Sequence, residues 1–186
     1  MKNKFFLYIL LSFAAVFSLA AKNDANNSSY APSNFMKHFT WGVDAGSSID
    51  ISGNDLSSID TEAFLGYKNN IVQALGVGVG LHSALGNSFT LIPTYAIVRT
   101  NLSVNHPLCF VETKLGYSFN SFNNGESQNG IYCSAGIGFN LYTSEKVRSH
   151  IVLSYSFSGL NPITAENYTR YEHSLSAMSV KIGISF

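Results

Sequence analysis

The chain has 186 residues, of which 46% are hydrophobic and only 12% are charged, against about 25% charged residues in ordinary soluble domains. Its 11 basic and 11 acidic residues give a formal net charge of zero, so no excess of positive charge points to nucleic-acid binding. Low charge together with ordinary apolar content also argues against a disordered chain. The length suits one domain, whose surface must be covered by something other than a dense set of charges.

The first 21 residues have the three-part pattern of a secretory signal peptide. Lys2 and Lys4 precede an apolar run over residues 5–17, and small residues follow as far as Ala20 and Ala21. We expect cleavage after one of these two alanines. A retained helical anchor fits less well, because the run is short for a span of about 20 residues. The chain therefore divides into a signal peptide over residues 1–20, a polar tether over residues 21–37 and one domain over residues 38–186.

From Phe39 onward, apolar residues alternate with small or polar ones, which predicts strands with two different faces. Runs of this kind lie near residues 39–48, 59–69, 71–84, 88–100, 107–119, 130–142, 147–158 and 174–186. No segment of this domain has a helical period. The runs are long enough for transmembrane strands, which need about 9 to 11 residues. The pattern predicts an all-β fold, an eight-stranded antiparallel up-and-down transmembrane β-barrel.

The two faces of these strands differ in charge. One face holds the large apolar residues and no charged residue. The other holds many glycines and a charged set: Asp44, Glu62, Lys68, Arg99, Glu112, Lys114, Arg148 and Lys181. We expect the apolar face to contact lipid and the charged set to form an ion-pair network in a narrow lumen. A secreted lipocalin-like binding barrel is the alternative, but it would bury its apolar face and turn charge to water.

The strand near residues 88–100 is ambiguous because it is apolar on both faces. We place Arg99 inward, since an arginine facing lipid at the bilayer midplane costs about 2 to 4 kcal/mol. Pro93 then lacks a donor for the hydrogen-bond ladder, which a bulge or a strand end tolerates.

The connections alternate between short turns and longer loops rich in Ser, Asn and Gly. The long ones, over residues 48–58, 120–129 and 159–173, are predicted to lie outside the cell and could bind an external ligand. Both termini are then periplasmic. Outward aromatic residues near the strand ends are predicted to form two belts at the membrane interfaces: Phe39, Trp41, Tyr67, Tyr117, Phe119, Phe139, Tyr155, Phe157 and Phe186.

The domain resembles the small eight-stranded outer-membrane barrels of Gram-negative bacteria, the OmpA/OmpX type. The resemblance lies in residues 92–99, in residues 106–117 and in the carboxy-terminal alternation of Val180, Ile182, Ile184 and Phe186. It implies a location in the cell outer membrane, contact with outer-membrane lipid and lipopolysaccharide, and a carboxy-terminal signal read by the barrel-assembly machinery. The chain departs from the family pattern at Lys181, where that pattern often has glycine.

The two cysteines are predicted to be free thiols. Cys109 opens the fifth strand at one end of the barrel, and Cys133 opens the sixth strand near the other end. About eight residues at roughly 3.3 Å each separate their levels, whereas a disulfide needs Cα atoms within about 7 Å.

The function expected from these residues is that of a non-enzymatic, monomeric outer-membrane barrel with a plugged lumen and no cofactor or metal. Its role would be structural or one of surface interaction, such as adhesion or recognition through the external loops. An eight-stranded barrel encloses a lumen that side chains fill, which favours a plug over a pore.

A lipid-modifying outer-membrane enzyme, of the lipid A deacylase or acyltransferase type, is the other functional alternative. Its candidate groups are His82 with Ser83, and His173 with Ser174 and Glu172. Neighbouring residues of a strand point to opposite faces, so neither adjacent His and Ser can act together as base and nucleophile without a bulge or loop.

Overall fold

The computed structural model describes residues 38–52, 57–85, 89–103, 108–122, 127–144, 147–159 and 174–186. Residues 1–37, on which the predicted signal peptide and tether fall, lie outside this part of the chain. The described residues form eight strands: β1 (Phe39–Asp50), β2 (Ser58–Tyr67), β3 (Val72–Ala84), β4 (Phe89–Asn101), β5 (Cys109–Phe122), β6 (Ser127–Thr143), β7 (Arg148–Gly159) and β8 (Ser174–Ser185).

The strands form a closed antiparallel barrel in which each strand pairs with its neighbours in sequence. The barrel closes where β1 pairs with β8, with Asp44 opposite Gly183. The predicted fold class is confirmed. We call the end where β1 begins and β8 ends the lower rim, and the opposite end the upper rim. Within the described ranges, no helix is long and apolar enough to cross a membrane.

Strand ends differ from the sequence prediction mainly at the upper rim. β5 continues to Phe122 and β6 begins at Ser127, so most of the predicted loop over residues 120–129 is paired strand. The ladder is made by backbone groups, which pair equally well beneath polar side chains. At the lower rim β2 ends before Lys68. The Asn69 side chain then accepts hydrogen bonds from the backbone N–H groups of Ile71 and Val72, which starts the turn.

Large apolar side chains cover the outer surface of the barrel. Leu115, Ile131 and Ile182 are each about 60% exposed or more, and their neighbours in sequence point inward. The arrangement is the reverse of that in a lipocalin-like barrel, which buries its apolar face.

β4 resolves the ambiguous register. Arg99 is buried inside the barrel, as predicted, while Val98 is exposed on the outer surface. Pro93 lies neither at a strand end nor at a bulge, so that expectation is wrong. It lies in the middle of β4, where the β3–β4 ladder is interrupted between the pairs Val79↔Thr94 and His82↔Leu91 without a change of register. The interruption accommodates the missing N–H of proline.

Candidate functional site

Inward-facing residues of seven strands form one charged cluster in the lumen. Because side chains alternate between faces, each strand delivers only its inward residues to this space. The cluster comprises Asp44 of β1, Asp60 and Glu62 of β2, His82 of β3, Arg99 of β4, Glu112 and Lys114 of β5, His150 of β7 and Lys181 of β8, all of them buried.

The lower half of the cluster is organised by Arg99. Its guanidinium group donates hydrogen bonds to the carboxylates of Asp44 and Glu112. The imidazole Nε2 of His150 lies 2.9 Å from Arg99 Nη1 and 2.8 Å from Asp44 Oδ1. The Phe64 ring stacks against the guanidinium, 4.4 Å from Arg99 Cζ to the ring centroid. This one side chain therefore joins β1, β4, β5 and β7.

The upper half is organised by the carboxylate of Glu62. Lys114 and Lys181 both donate to it, the Tyr95 hydroxyl donates to it at 3.2 Å, and His82 Nε2 lies 3.0 Å away. Asp60 sits beside this group and accepts hydrogen bonds from the hydroxyls of Ser48 and Ser58.

Lys114 connects the two halves. Its Nζ atom lies 2.7 Å from Glu112 Oε1 and also bonds to Glu62. A continuous series of ion pairs thus crosses the lumen at its middle. Removing one member of a buried pair leaves the other charge uncompensated, which costs about 3 to 5 kcal/mol.

Six of the eight charges predicted for the lumen belong to this cluster. Lys68 and Arg148 do not, and both are half-buried at the lower rim. Among the residues that the structure describes, neither forms an ion pair. The cluster also contains residues absent from the predicted network: Asp60, His82 and His150. The inward phase could have revealed Asp60, because it lies two residues from Glu62 on the same strand.

Lys181 accounts for the departure from the resembled carboxy-terminal pattern. Val180, Ile182 and Ile184 are exposed on the outer surface, whereas Lys181 points inward and pairs with Glu62. The terminal Phe186 stacks on Trp41, with 4.4 Å between ring centroids. A glycine at position 181 would therefore remove a cation of the cluster from this chain.

The aromatic residues predicted for the belts lie on the outer surface near the two rims. Phe39, Tyr67 and Phe139 are exposed near the lower rim, and Trp41 is half-buried there by its contact with Phe186. Nearer the upper rim, Tyr117, Phe119 and Tyr155 are exposed and Phe157 is half-buried. Tyr117 and Phe119 also contact each other, with centroids 5.4 Å apart.

The first candidate pair for catalysis is separated by the strand. His82 points into the lumen and is held by Glu62 and Asp60, whereas Ser83 is exposed on the outside. Of the second candidate group, His173 and Glu172 lie outside the described residues. In the described part of the chain, no group of three or more His, Cys, Asp or Glu side chains is arranged to hold a metal ion.

Cys109 and Cys133 are free thiols at different levels of the barrel. Cys133 lies opposite Leu115 in the β5–β6 ladder, six residues along β5 from Cys109, which is about 20 Å at the rise of a strand. The prediction that Cys133 opens the sixth strand is wrong, because β6 begins at Ser127 and the residue lies well inside it.

A small cavity lies between the cluster and the upper rim. It is lined by six polar or aromatic residues, Ser48, Ser58, His82, Tyr132, Ser156 and Ser158, and by four apolar ones, Ala84, Leu91, Leu175 and Ala177. The hydroxyl group of Tyr132 is buried and has no protein partner within the described residues. The serine hydroxyls of this mixed lining suit ordered water, which commonly satisfies buried polar groups.

Comparison with solved structures identifies the fold. Neisserial surface protein A (NspA) superimposes with a TM-score of 0.53 at 13% identity, covering 80% of this chain and 94% of that one. The N-terminal β-barrel domain of Pseudomonas aeruginosa OprF gives a TM-score of 0.47 at 12% identity, covering 79% and 97%. The Yersinia pestis attachment invasion locus protein Ail, solved with the heparin analogue sucrose octasulfate, gives 0.43 at 13% identity, covering 80% and 97%.

No family model and no curated protein sequence matches the chain. The chain has the fold of the small eight-stranded outer-membrane barrels. Its likeness to NspA extends over nearly the whole of that protein and concerns the fold alone.

Proposed function

We propose that this protein is a non-enzymatic, monomeric barrel of the cell outer membrane whose lumen is closed by the charged cluster. It acts in a structural or surface-interaction role through the loops of its upper rim. The observation that carries the proposal is the continuous series of buried ion pairs through Arg99, Lys114 and Glu62. A lumen filled in this way leaves the outer surface and the loops as the parts that meet other molecules.

The apolar outer surface and the aromatic residues near both rims support the membrane setting. In this setting the outer surface contacts outer-membrane lipid and lipopolysaccharide. The lower rim faces the periplasm with both termini, and the upper-rim loops face outward. The carboxy-terminal residues Val180, Ile182, Ile184 and Phe186 serve as the signal for the barrel-assembly machinery. Their outward alternation on β8 supports that role.

The enzyme alternative is less well supported. A nucleophile needs its base within hydrogen-bond reach, and Ser83 is separated from His82 by the strand itself. His82 is in addition engaged by two carboxylates.

The experiment that tests the proposal is conductance in planar lipid bilayers. We expect the wild-type barrel to show no large, steady conductance, and Lys114→Ala to raise it, because the change removes the link between the halves of the cluster. Thr113→Ala, next in sequence but exposed on the outside, is the matched control. A large steady conductance of the wild-type protein would refute the plug.

A second experiment tests the role of the loops. Loss of cell binding on deletion of residues 160–173 supports the interaction role, and unchanged binding favours a structural one.

A further inference from the structure

Two half-buried cations face the same end of the lumen at the lower rim. Lys68 directly follows β2, and its backbone is held by His38, whose carbonyl oxygen accepts the Lys68 N–H at 2.6 Å and whose Nδ1 lies 3.0 Å from the Lys68 carbonyl oxygen. Arg148 begins β7 and is paired with Ser185 of β8. Both residues continue the inward alternation: Lys68 lies two residues after Gly66, and Arg148 lies two residues before His150. The strands between them, β1 and β8, bring the two side chains toward one opening.

These cations lack a negative partner in the described part of the chain. The nearby carboxylates of Asp44 and Glu112 are already bound by Arg99. The Nε–H group of Arg148 is buried and makes no hydrogen bond to a described residue. Burial and then the positive charge of Arg148 lower the pKa of the Lys68 ammonium group. A like charge disfavours the charged form of each group, whereas an anion placed between the two cations would favour both charged forms.

We propose that Lys68 and Arg148 bind a phosphate group at the lower rim. A guanidinium presents N–H donors in a fork that matches phosphate oxygens, and a lysine ammonium adds a point charge. The phosphate comes either from a phospholipid headgroup or from solution. The lipid source rests on the proposed membrane setting, in which Tyr67 and Trp41 mark the headgroup level. The solution source is independent of that setting.

The test follows the Arg148 Nε–H signal by NMR in the full mature barrel. In phosphate-free detergent micelles, inorganic phosphate is titrated into the wild type, Lys68→Gln and Arg148→Gln, the last followed at the Lys68 amide. We expect saturable shifts in the wild type and a loss of affinity on the order of tenfold in each variant. Ser149→Ala, beside Arg148 on the other face, should bind as the wild type does. Gel mobility before and after boiling verifies that each variant is folded.

A second arm separates the two sources. If nanodiscs of phosphatidylglycerol without added phosphate already give the bound signal, the ligand is the lipid headgroup. If the signal appears only with inorganic phosphate, the ligand is free phosphate. The absence of saturable shifts in both settings would overturn the proposal. Glu145 lies three residues before Arg148 in the sequence, outside the described residues. The proposal is also overturned if Glu145→Gln alone moves the signal in phosphate-free micelles, because the counter-charge would then be a carboxylate of the chain.

Discussion

Glycines set the space available to the charged cluster at the scale of single residues. A Cβ atom on Gly183 would lie 1.9 Å from Asp44 Oδ1 and 2.5 Å from His150 Nε2. A Cβ on Gly138 would lie 2.0 Å from the Phe110 ring. Small and large inward residues thus face each other across the ladder, and the cluster depends on the small ones as much as on the charges.

Gly183→Ala should therefore lower the free energy of unfolding by about 1 to 3 kcal/mol, the usual effect of overpacking. The added methyl group would displace Asp44 from its contacts with Arg99 and His150. Gly159→Ala is the matched control, since the nearest heavy atom to its Cβ would be 3.7 Å away. Urea unfolding of both variants in lipid vesicles measures the difference. Equal stabilities for the two would contradict this account.

Alternation in the sequence predicts the face of a charged residue but not its partner. Asp44, Arg99 and Glu112 are inward as predicted. Arg99 and Glu112 lie opposite each other on the paired strands β4 and β5, whereas Asp44 on β1 reaches Arg99 only across the closed lumen. Lys68 and Arg148 have the same inward phase and remain outside the cluster. Both residues lie at strand ends, which keeps them out of the charged cluster. The level of a strand end relative to the cluster depends on the stagger between strands, and the sequence of a single strand does not show that stagger.

At the scale of elements, the register of neighbouring strands decides which pairs of cysteines can form a disulfide bond. Cys133 faces Leu115 across the β5–β6 ladder, whereas Val111 faces Ile137. The wild-type thiols are too far apart for a bridge, as expected. Their levels differ by six residues of β5 rather than by about eight, because the pairing register of two strands cannot be read from either strand alone.

Leu115→Cys in a Cys109→Ser background should form an internal disulfide with Cys133 under mild oxidation. Directly opposed Cβ atoms on antiparallel strands are about 4.5 to 5.5 Å apart, which is close enough for modest movement to complete the bond. Val111→Cys in the same background is the control and should stay reduced, four residues away on β5. Mass spectrometry of the digested, non-reduced protein identifies the bridge. A bridge in the control alone would show that the register is different.

Pro93 shows how a strand accommodates a residue that has no backbone N–H donor. The sequence analysis allowed proline at a bulge or a strand end. The barrel instead interrupts the β3–β4 ladder locally while the β4–β5 pairing continues, with Pro93 opposite Ser118. This interruption is visible only in the paired structure, because each ladder is formed by hydrogen bonds between two strands.

The barrel formed by the described residues is inverted relative to a soluble barrel, with the charged cluster inside and large apolar side chains outside. Leu153 lies midway along β7, between Ile137 and Val180 of the adjacent strands, and is 50% exposed. Ile49 is 64% exposed near the upper rim. The two positions differ in depth along the barrel and share an outward orientation.

Leu153→Arg should destabilise the barrel in lipid vesicles by about 2 to 4 kcal/mol, whereas Ile49→Arg should cost about 0 to 1 kcal/mol. The reason is the cost of placing a guanidinium group in hydrocarbon, which falls toward the interface. Denaturant unfolding in vesicles and in micelles measures both variants. Similar small costs at the two depths would contradict the membrane setting.

The sequence by itself determined the fold class, the number of strands, the apolar outer face and the inward phase of the charges, because these follow from a period of two that each strand carries locally. The tertiary structure alone decided which charges meet, how Pro93 is accommodated and why Lys68 and Arg148 lie outside the charged cluster. Those outcomes depend on strand stagger and closure between β1 and β8, which join residues as distant in sequence as Glu62 and Lys181.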